Sequence, residues 1–461
     1  MAEKITTSAE RKIIEDFAKE IAEKRERGSH PEKTVIDFRN DRVRGEKGER
    51  DIWIVPIKLL RFRKDNGRIA SDVTSYEKLH GRLDEALINT QKILKEYLQN
   101  KDPESNVKLM KLIEHSGQLD PAIITSDGFL INGNRRKMVL EELFEKTRDK
   151  RFEVMKVVIL PGKGEPGGPP TIKEIEQIEN RYQLQSDGKS EYTNFDRAIS
   201  MKRKIKAGMS LEEQLKDDPT FVNLNEKEFK KQIQKYNDEF LGPLECIDNY
   251  LEQLARDGMY DSISEGRSDK EGRWYAFIDY YKLYKQLKDE KRRIDLGVEE
   301  DEVGDIENVV FKIIRKKDFP QLKSHEIIRK IPKILTNKGA KKDLLKIKIQ
   351  TKELPKADIS EHDDFKTIDR KWGNLNSAAI VGRVTEALRR IDNEMESEGP
   401  LTLLYDALKK LNHDKMVPED LEISKLDEAF KRAKEIQERA HYLEKAFWEL
   451  KQVNKKLLNK K

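Results

Sequence analysis

The spacing of apolar residues changes character along this chain. Residues 53–62, WIVPIKLLRF, are apolar and β-branched without helical periodicity, which predicts a strand running into a turn. From 75 to 99 the apolar positions Leu79, Leu83, Ala86, Leu87, Leu94 and Leu98 recur at helical steps, and 107–115 places Leu109, Leu112 and Ile113 on one side of a further helix that Gly117 breaks. The run PAIIT, SDG, FLIN then predicts strand, tight turn and strand, because Asp-Gly between apolar runs is a strong hairpin signal. After Gly133, the residues Val139, Leu140, Leu143 and Phe144 mark the inner face of a helix, and FEVMKVVIL, 152–160, closes the unit as a strand. Interleaved strands and helices predict an α+β domain over 51–170.

The loop PGKGEPGGPP, 161–170, holds too many glycines and prolines for regular structure, and everything beyond it reads as helix. Helices are predicted over 171–185 and 193–207, as two short pieces within 211–241, and over the aromatic-rich 272–289. In the last helix Leu426, Ala429, Ala433, Ile436, Ala440, Leu443, Phe447 and Leu450 alternate steps of three and four, a heptad seam. Such a seam joins two copies of the chain, or it packs back on Ile380, Val384, Leu388 and Ile391 of the preceding helix. The expected organisation is an amphipathic helix and charged linker over 1–50, the α+β domain over 51–170, a helical region over 171–295, and a helical carboxy-terminal region over 296–461 that ends in the long helix.

Composition narrows the function classes. Of 461 residues 39% are charged and 36% hydrophobic, with a mean hydropathy of -0.83, so the expectation is a helical protein rich in surface. No run approaches the roughly 18 apolar residues of a membrane span, and the amino terminus has no apolar core of a signal peptide, so no membrane partner is expected. The single Cys246 excludes a disulfide framework and a cysteine-rich zinc site and suggests a reducing, cytoplasmic setting. The seven histidines are scattered without metal-ligand spacing. Lys and Arg total 92 against 87 acids, a net charge of +5 that does not announce a nucleic-acid binder. One local asymmetry stands out: 321–352 carries ten Lys and Arg against two acids, and within it Lys338, Lys341 and Lys342 are expected as non-specific phosphate contacts to DNA.

The stretch GNRRKM raises a sharper question, because Arg135 and Arg136 open a helix where the dipole favours negative charge. An anion between them resolves the conflict. Gly133 lets the backbone approach it, free N–H groups donate to it, and two guanidinium forks neutralise it. DGKSEY at 187–192 lacks the earlier glycine of a P-loop, since position 183 is Gln183, and reads as a turn before a helix.

In order, GQLDPAIIT, SDGFLINGNRRKMVLEEL and IENRYQLQSDGKSEY resemble the three boxes of the ParB/sulfiredoxin superfamily, specifically ParB-like amino-terminal domains, over about residues 51–208. The resemblance implies a nucleoside triphosphate, CTP or ATP, held with Mg2+. By the same resemblance Gln118, Pro121, Gly133, Asn134, Arg135, Arg136 and Asn180 contact the nucleotide. Glu179 and Asn180 supply oxygens to the metal, and Glu179 orients a water for hydrolysis. Gln183 stands where the family's third box has an arginine, which leaves the choice of nucleotide open. Asn134 takes the place of the sulfiredoxin cysteine, so that family's sulfinic acid reduction is excluded. Residues 206–236 fall where ParB proteins carry a helix-turn-helix, with Lys227, Lys230, Lys231 and Lys235 in the second helix but without a base-reading arginine and asparagine set. The expected function is a nucleotide-dependent switch acting on DNA. The alternative is a nucleotide-hydrolysing or nuclease-type component of a bacterial or phage defence or DNA-modification system whose helical region binds protein.

Overall fold

A computed structural model describes residues 11–30, 32–36, 38, 48–184, 192–221, 223–264, 273–414 and 416–458. Helix α1 (Glu15–Lys24) precedes a short antiparallel ladder of β1 (Lys33–Val35) and β2 (Glu49–Asp51). Next come β3 (Trp53–Pro56), α2 (Ala70–His80), α3 (Ile88–Lys101), α4 (Pro103–Ser116), β4 (Ala122–Ile124), α5 (Asn134–Thr147) and β5 (Val154–Ile159). Strand β5 lies in the middle of a three-stranded sheet, antiparallel to β3 and parallel to β4. One face of the sheet buries Val55, Ile124, Met155 and Val157 against α3, α4 and α5, through Leu94, Leu98, Ile113, Met138, Val139 and Leu143. The other face buries Ile123 and Val158 against Ile175 and Ile178 of α6 (Ile172–Leu184). The chain is therefore α+β in outline, a small sheet near the amino terminus followed by helices.

Several expectations are refined. The helix expected over 75–99 is two helices, α2 and α3, because Gly81 ends the first with φ of +86°, a conformation that other residues take only with strain. The strand expected over 53–62 stops at Pro56, and Ile57–Leu59 turns as a 3-10 helix. The expected hairpin is minimal: Leu130 bridges back to Ile124, while Phe129 bridges to Arg61. Asp127 does more than turn the chain. Its buried carboxylate accepts from Thr125 Oγ1 at 2.6 Å, from Arg11 Nη1 at 2.7 Å and from the Ile14 amide at 3.0 Å, which ties the entry of α1 to the sheet.

The remaining helices are α7 (Asn194–Lys206), α8 (Leu211–Lys216), α9 (Glu226–Tyr236), α10 (Gly242–Gln253), α11 (Arg273–Lys288), α12 (Glu290–Asp295), α13 (Val303–Lys316), α14 (Ser324–Thr336), α15 (Lys338–Gln350), α16 (Phe365–Leu375), α17 (Ser377–Leu411) and α18 (Leu426–Leu458). A π-helical segment, Asn237–Leu241, joins α9 to α10. One core runs through α7, α10, α11 and α13–α16 into the first turns of α17, from Phe195 to Ile391, and residue 295 falls inside that span.

By contacts the chain forms two units, Met1–Ile391 and Asp392–Lys461. Ile380, Val384 and Ile391 are buried in the first unit's helical core, with Leu388 packed partly buried against it. In the second unit no described residue is buried, and the seam of α18 lies open, with Ile436, Phe447 and Leu450 exposed. No described helix is long and apolar enough to cross a membrane.

Candidate functional site

The start of α5 is built by close packing. Gly133 caps the helix in the left-handed region, and a Cβ there would lie 2.7 Å from Ala122 Cβ and 3.2 Å from Met155 Cε. The glycine therefore serves the approach of the helix to β4 and β5, in addition to freeing the backbone. No acidic residue occupies the first turn. Asn134 is buried and donates weakly to the Leu130 carbonyl at 3.4 Å, while its Oδ1 has no hydrogen-bond partner. Arg135 donates from Nε to Asn106 Oδ1 at 2.8 Å on α4, and Asn106 in turn holds the Leu98 and Gln99 carbonyls of α3. Arg136 donates to the carbonyls of Asp120 and Pro121 and makes no ion pair among the described residues. Burial pulls its guanidinium below the ordinary value, against the charges of Asp120 and of Tyr182 on α6.

Gln118 works as a strand extension. Its Oε1 accepts from the Lys156 amide at 2.7 Å and its Nε2 donates to the Lys156 carbonyl at 2.8 Å, completing the backbone pairing beside β5. The same Nε2 reaches the Asp120 carbonyl at 2.8 Å, so Gln118, Pro121 and Arg136 converge on the approach to β4.

Glu179 and Asn180 sit in a different setting. Whereas Ile175 and Ile178 face the sheet, Glu176, Glu179 and Asn180 enter a buried polar network shared with α7, α8 and the 63–69 turn. Glu179 accepts from the Gly67 amide at 2.9 Å and from Arg203 Nη2 at 3.3 Å, and it lies 3.8 Å from Arg63 Nη1. Glu176 takes Arg63 Nη2 at 3.3 Å and Arg203 Nη2 at 3.0 Å. Asn180 donates to the Gln214 carbonyl at 2.9 Å and accepts from Lys204 Nζ at 2.9 Å. Burial and the neighbouring Glu176 raise the Glu179 pKa, against Arg203 and Arg63. Burial lowers Lys204 to about 8 in spite of Glu179 and Glu176. For Arg203 burial acts the same way, but the two carboxylates outweigh it and hold the guanidinium protonated.

This donor set does not fit a magnesium ion. The Glu179 oxygens face guanidinium and amide donors, the Asn180 oxygen faces an ammonium, and the described residues hold no group of three or more His, Cys, Asp or Glu placed to share a metal. The residues expected from the three boxes thus fall into two clusters on either side of α6, with Tyr182 near Arg136 on one side and Glu179 in the network on the other. Sequence reasoning missed Arg63, Glu176, Arg203 and Lys204. Lys204 was legible in principle, since it falls in phase with Ala198 and Met201 on the buried side of α7. A pocket of about 330 Å³ opens elsewhere, between α3, α5 and the Ile57–Leu59 turn; Lys137 and Glu141 of the second box line it, but none of the expected nucleotide contacts does.

Three members of the basic run are answered by acids from outside it. Lys341 pairs with Glu302 at 2.7 Å, Arg329 with Asp279 at 2.6 Å, and Lys348 with Asp305, whereas Lys338 and Lys342 are exposed. In the segment expected as helix-turn-helix, α8 has six residues and α9 buries none. Cys246 is buried, and burial pushes its thiol pKa up, so it is a packed side chain rather than a reactive one. No protein-family model matches the chain, and searches of curated proteins and of solved structures return no match.

Proposed function

We propose that the chain binds a nucleoside triphosphate, CTP or ATP, through its phosphates at the start of α5, in a ParB/sulfiredoxin-like domain, and acts as a nucleotide-dependent switch on DNA. The observation that carries this reading is Arg136. A half-buried guanidinium at a helix start, facing carbonyls and paired with no carboxylate among the described residues, is a charge prepared for an incoming anion. Arg135 adds a second cation on the same turn. In this reading magnesium arrives with the triphosphate, while Glu179 and Asn180 position α6 through their internal bonds. DNA contact is weak and insensitive to sequence, through Lys338 and Lys342, because lysines meet phosphates as point charges.

Calorimetric titration of the full chain with CTP, ATP, GTP and UTP, with magnesium and with EDTA, tests the reading. Saturable heat with one triphosphate, lost in Arg136→Ala with far-UV helicity unchanged, is expected. Absence of heat with all four sinks it. The double change Lys338→Glu and Lys342→Glu is expected to weaken binding to unrelated duplexes alike, and a footprint on one defined sequence would remove the non-specific assignment.

A second reading is a nucleotide-hydrolysing or nuclease-type component of a bacterial or phage defence or DNA-modification system whose helical region binds protein. It is favoured by the second unit, where Phe430 is 75% and Trp448 61% exposed on α18 and nothing described is buried. The heptad seam suits a second copy of the chain. Parallel pairing sets Arg439 of one helix against Glu444 of the other, whereas antiparallel pairing would align Lys425, Arg432 and Arg439 with one another.

A further inference from the structure

The cavity between α3, α5 and the Ile57–Leu59 turn, about 330 Å³, lies at the lower end of the roughly 300–1,000 Å³ of small-molecule sites. Ile57, Phe62, Ile88 and Phe144 give it apolar walls, and Ile88 is 76% exposed, which leaves apolar surface at the mouth for a ligand to cover. Gln91 fixes one wall, since its side chain accepts from the Phe62 amide at 2.7 Å and donates to the Phe62 carbonyl at 3.0 Å. Four lysines line the cavity as well. Lys58 and Lys92 are exposed and Lys95 is half-buried, whereas Lys137 is only 4% exposed.

The Lys137 nitrogen sits over the Phe62 ring, 3.9 Å from its centroid, and pairs with Glu141 one turn further along α5. It does not hold that carboxylate alone. Glu141 also takes Lys95 at 3.1 Å, and Lys95 has Glu145 besides at 3.3 Å. The two amines therefore differ. Burial pulls Lys137 below the ordinary lysine value in spite of Glu141, and the charges of Lys95 and Arg61 act in the same direction. For Lys95 burial also acts downward, but Glu141 and Glu145 outweigh it and keep the ammonium protonated. A desolvated amine beside a second cation is the setting that makes a lysine nucleophilic. Of the remaining charged residues on the cavity wall, Lys58, Lys92 and Glu153 make no ion pair among the described residues, two cations against one acid, which favours an acidic ligand over a neutral one.

We propose that Lys137 forms an imine with a small 2-oxo acid of apolar side chain bound in this cavity. The nitrogen lone pair adds to the carbonyl carbon, and the carbonyl π pair moves onto oxygen. Glu141 carries one N–H proton to that oxygen to give the carbinolamine, then carries the second to the hydroxyl, which leaves as water while the C=N bond forms. One water is released per imine and nothing is oxidised. The apolar side chain lies against Ile57, Phe62 and Phe144, and the carboxylate meets Lys58 and Lys92. None of the expected nucleotide contacts lines the cavity, so the inference stands whether or not a triphosphate binds at the start of α5.

Borohydride trapping of the full chain with phenylpyruvate, followed by peptide mass mapping, tests the assignment. A single saturable adduct on Lys137 is expected. The methyl ester of the same compound, which lacks only the charge, should need about tenfold higher concentration. The trapping rate should rise with pH and level off at a lower pH than for a model lysine amine, which titrates at about 10.4. Lys137→Arg, which keeps a cation facing Glu141, should remove the adduct, and Glu141→Gln should slow trapping about a hundredfold. The map of the wild type decides the site even where a variant fails to fold. Label spread over the exposed lysines with Lys137 unmodified, a pH profile that matches the model amine, equal midpoints for acid and ester, or equal adducts in wild type and Lys137→Arg each overturn the proposal and leave Lys137 as a structural partner of Glu141.

Discussion

Gly133→Ala separates two explanations of the glycine that opens α5. If its role is to admit an anion, the substitution weakens ligand binding and leaves the free protein intact. The structure argues for a second role. At φ of +85° an alanine pays roughly 1 kcal/mol for the left-handed conformation, and its Cβ would lie 2.7 Å from Ala122 Cβ on strand β4. Ala122 is fully buried and its neighbour Met155 nearly so, so relief requires the helix start to move, an overpacking cost of about 1–3 kcal/mol. Together these give about 2–4 kcal/mol, a large part of the roughly 5–15 kcal/mol that holds a typical domain. Gly164 supplies the control, because it has φ of +83° with nothing within 4 Å of a Cβ. Gly164→Ala should cost only the backbone part, about 1 kcal/mol. The assay is urea unfolding of the free protein followed by far-UV circular dichroism. If Gly133→Ala lowers the midpoint no more than Gly164→Ala does, the packing argument is refuted.

Three further outcomes are expected. Glu179→Gln keeps an acceptor for the Gly67 amide but removes a charge facing Arg63 and Arg203, and should cost about 3 kcal/mol in urea unfolding; an unchanged midpoint would show the network to be expendable. Lys204 titrates at about 8 in the folded chain against 10.5 unfolded, so between those values the unfolded chain binds the extra proton and stability rises with pH, by up to about 1.4 kcal/mol per unit. Stability profiles of wild type and Lys204→Met should therefore diverge between pH 8 and 10, and parallel profiles would remove the assignment. For α18, Ile436→Glu with Leu443→Glu should convert a dimer to a monomer in sedimentation at fixed concentration, and a wild type that is already monomeric contradicts pairing through the seam.

Local periodicity made most helices legible, because a buried stripe repeats every three to four residues whatever it packs against. The expectations for 171–185, 193–207 and 272–289 fall on helices of nearly those bounds, and that for 107–115 falls within a helix that begins earlier, at Pro103. What escaped was decided by distant partners. Asp127 read as a turn residue, yet its carboxylate binds Arg11 and the Ile14 amide more than a hundred positions away. Gln118 resembled a ligand contact, yet its amide finishes the pairing of β5. The basic 321–352 run looked more unbalanced than it is, because Asp279, Glu302 and Asp305 answer three of its cations from outside that window. Of the candidate site, the start of α5 was visible as a conflict between charge and dipole, while the Glu179 network draws Arg63 and Arg203 from outside α6 and left no local signature.

The network around Glu179 constrains how any switch in this chain can work. Arg63, Glu176, Glu179, Arg203 and Lys204 are all buried or nearly so, so each depends on the others to offset its desolvation, and removal of one member leaves a partner unpaired. Such a network tends to be intact or broken rather than gradually deformed. It fixes α6 against α7 and the Gly67 turn, while the opposite side of α6 packs on the sheet through Ile175 and Ile178 and brings Tyr182 near Arg136. An anion that draws Arg136 off the Asp120 and Pro121 carbonyls changes the field at Tyr182 first. For that change to reach the helical bundle by way of α6, the helix would shift as a rigid body, because its buried charges leave it no intermediate state that keeps every partner. In the proposed switch, any coupling between the start of α5 and the bundle that runs through α6 should be lost in Glu179→Gln even where phosphate contacts at Arg136 survive, and coupling that persists in that variant would place the route in the direct contacts of α2 and α3 with α7.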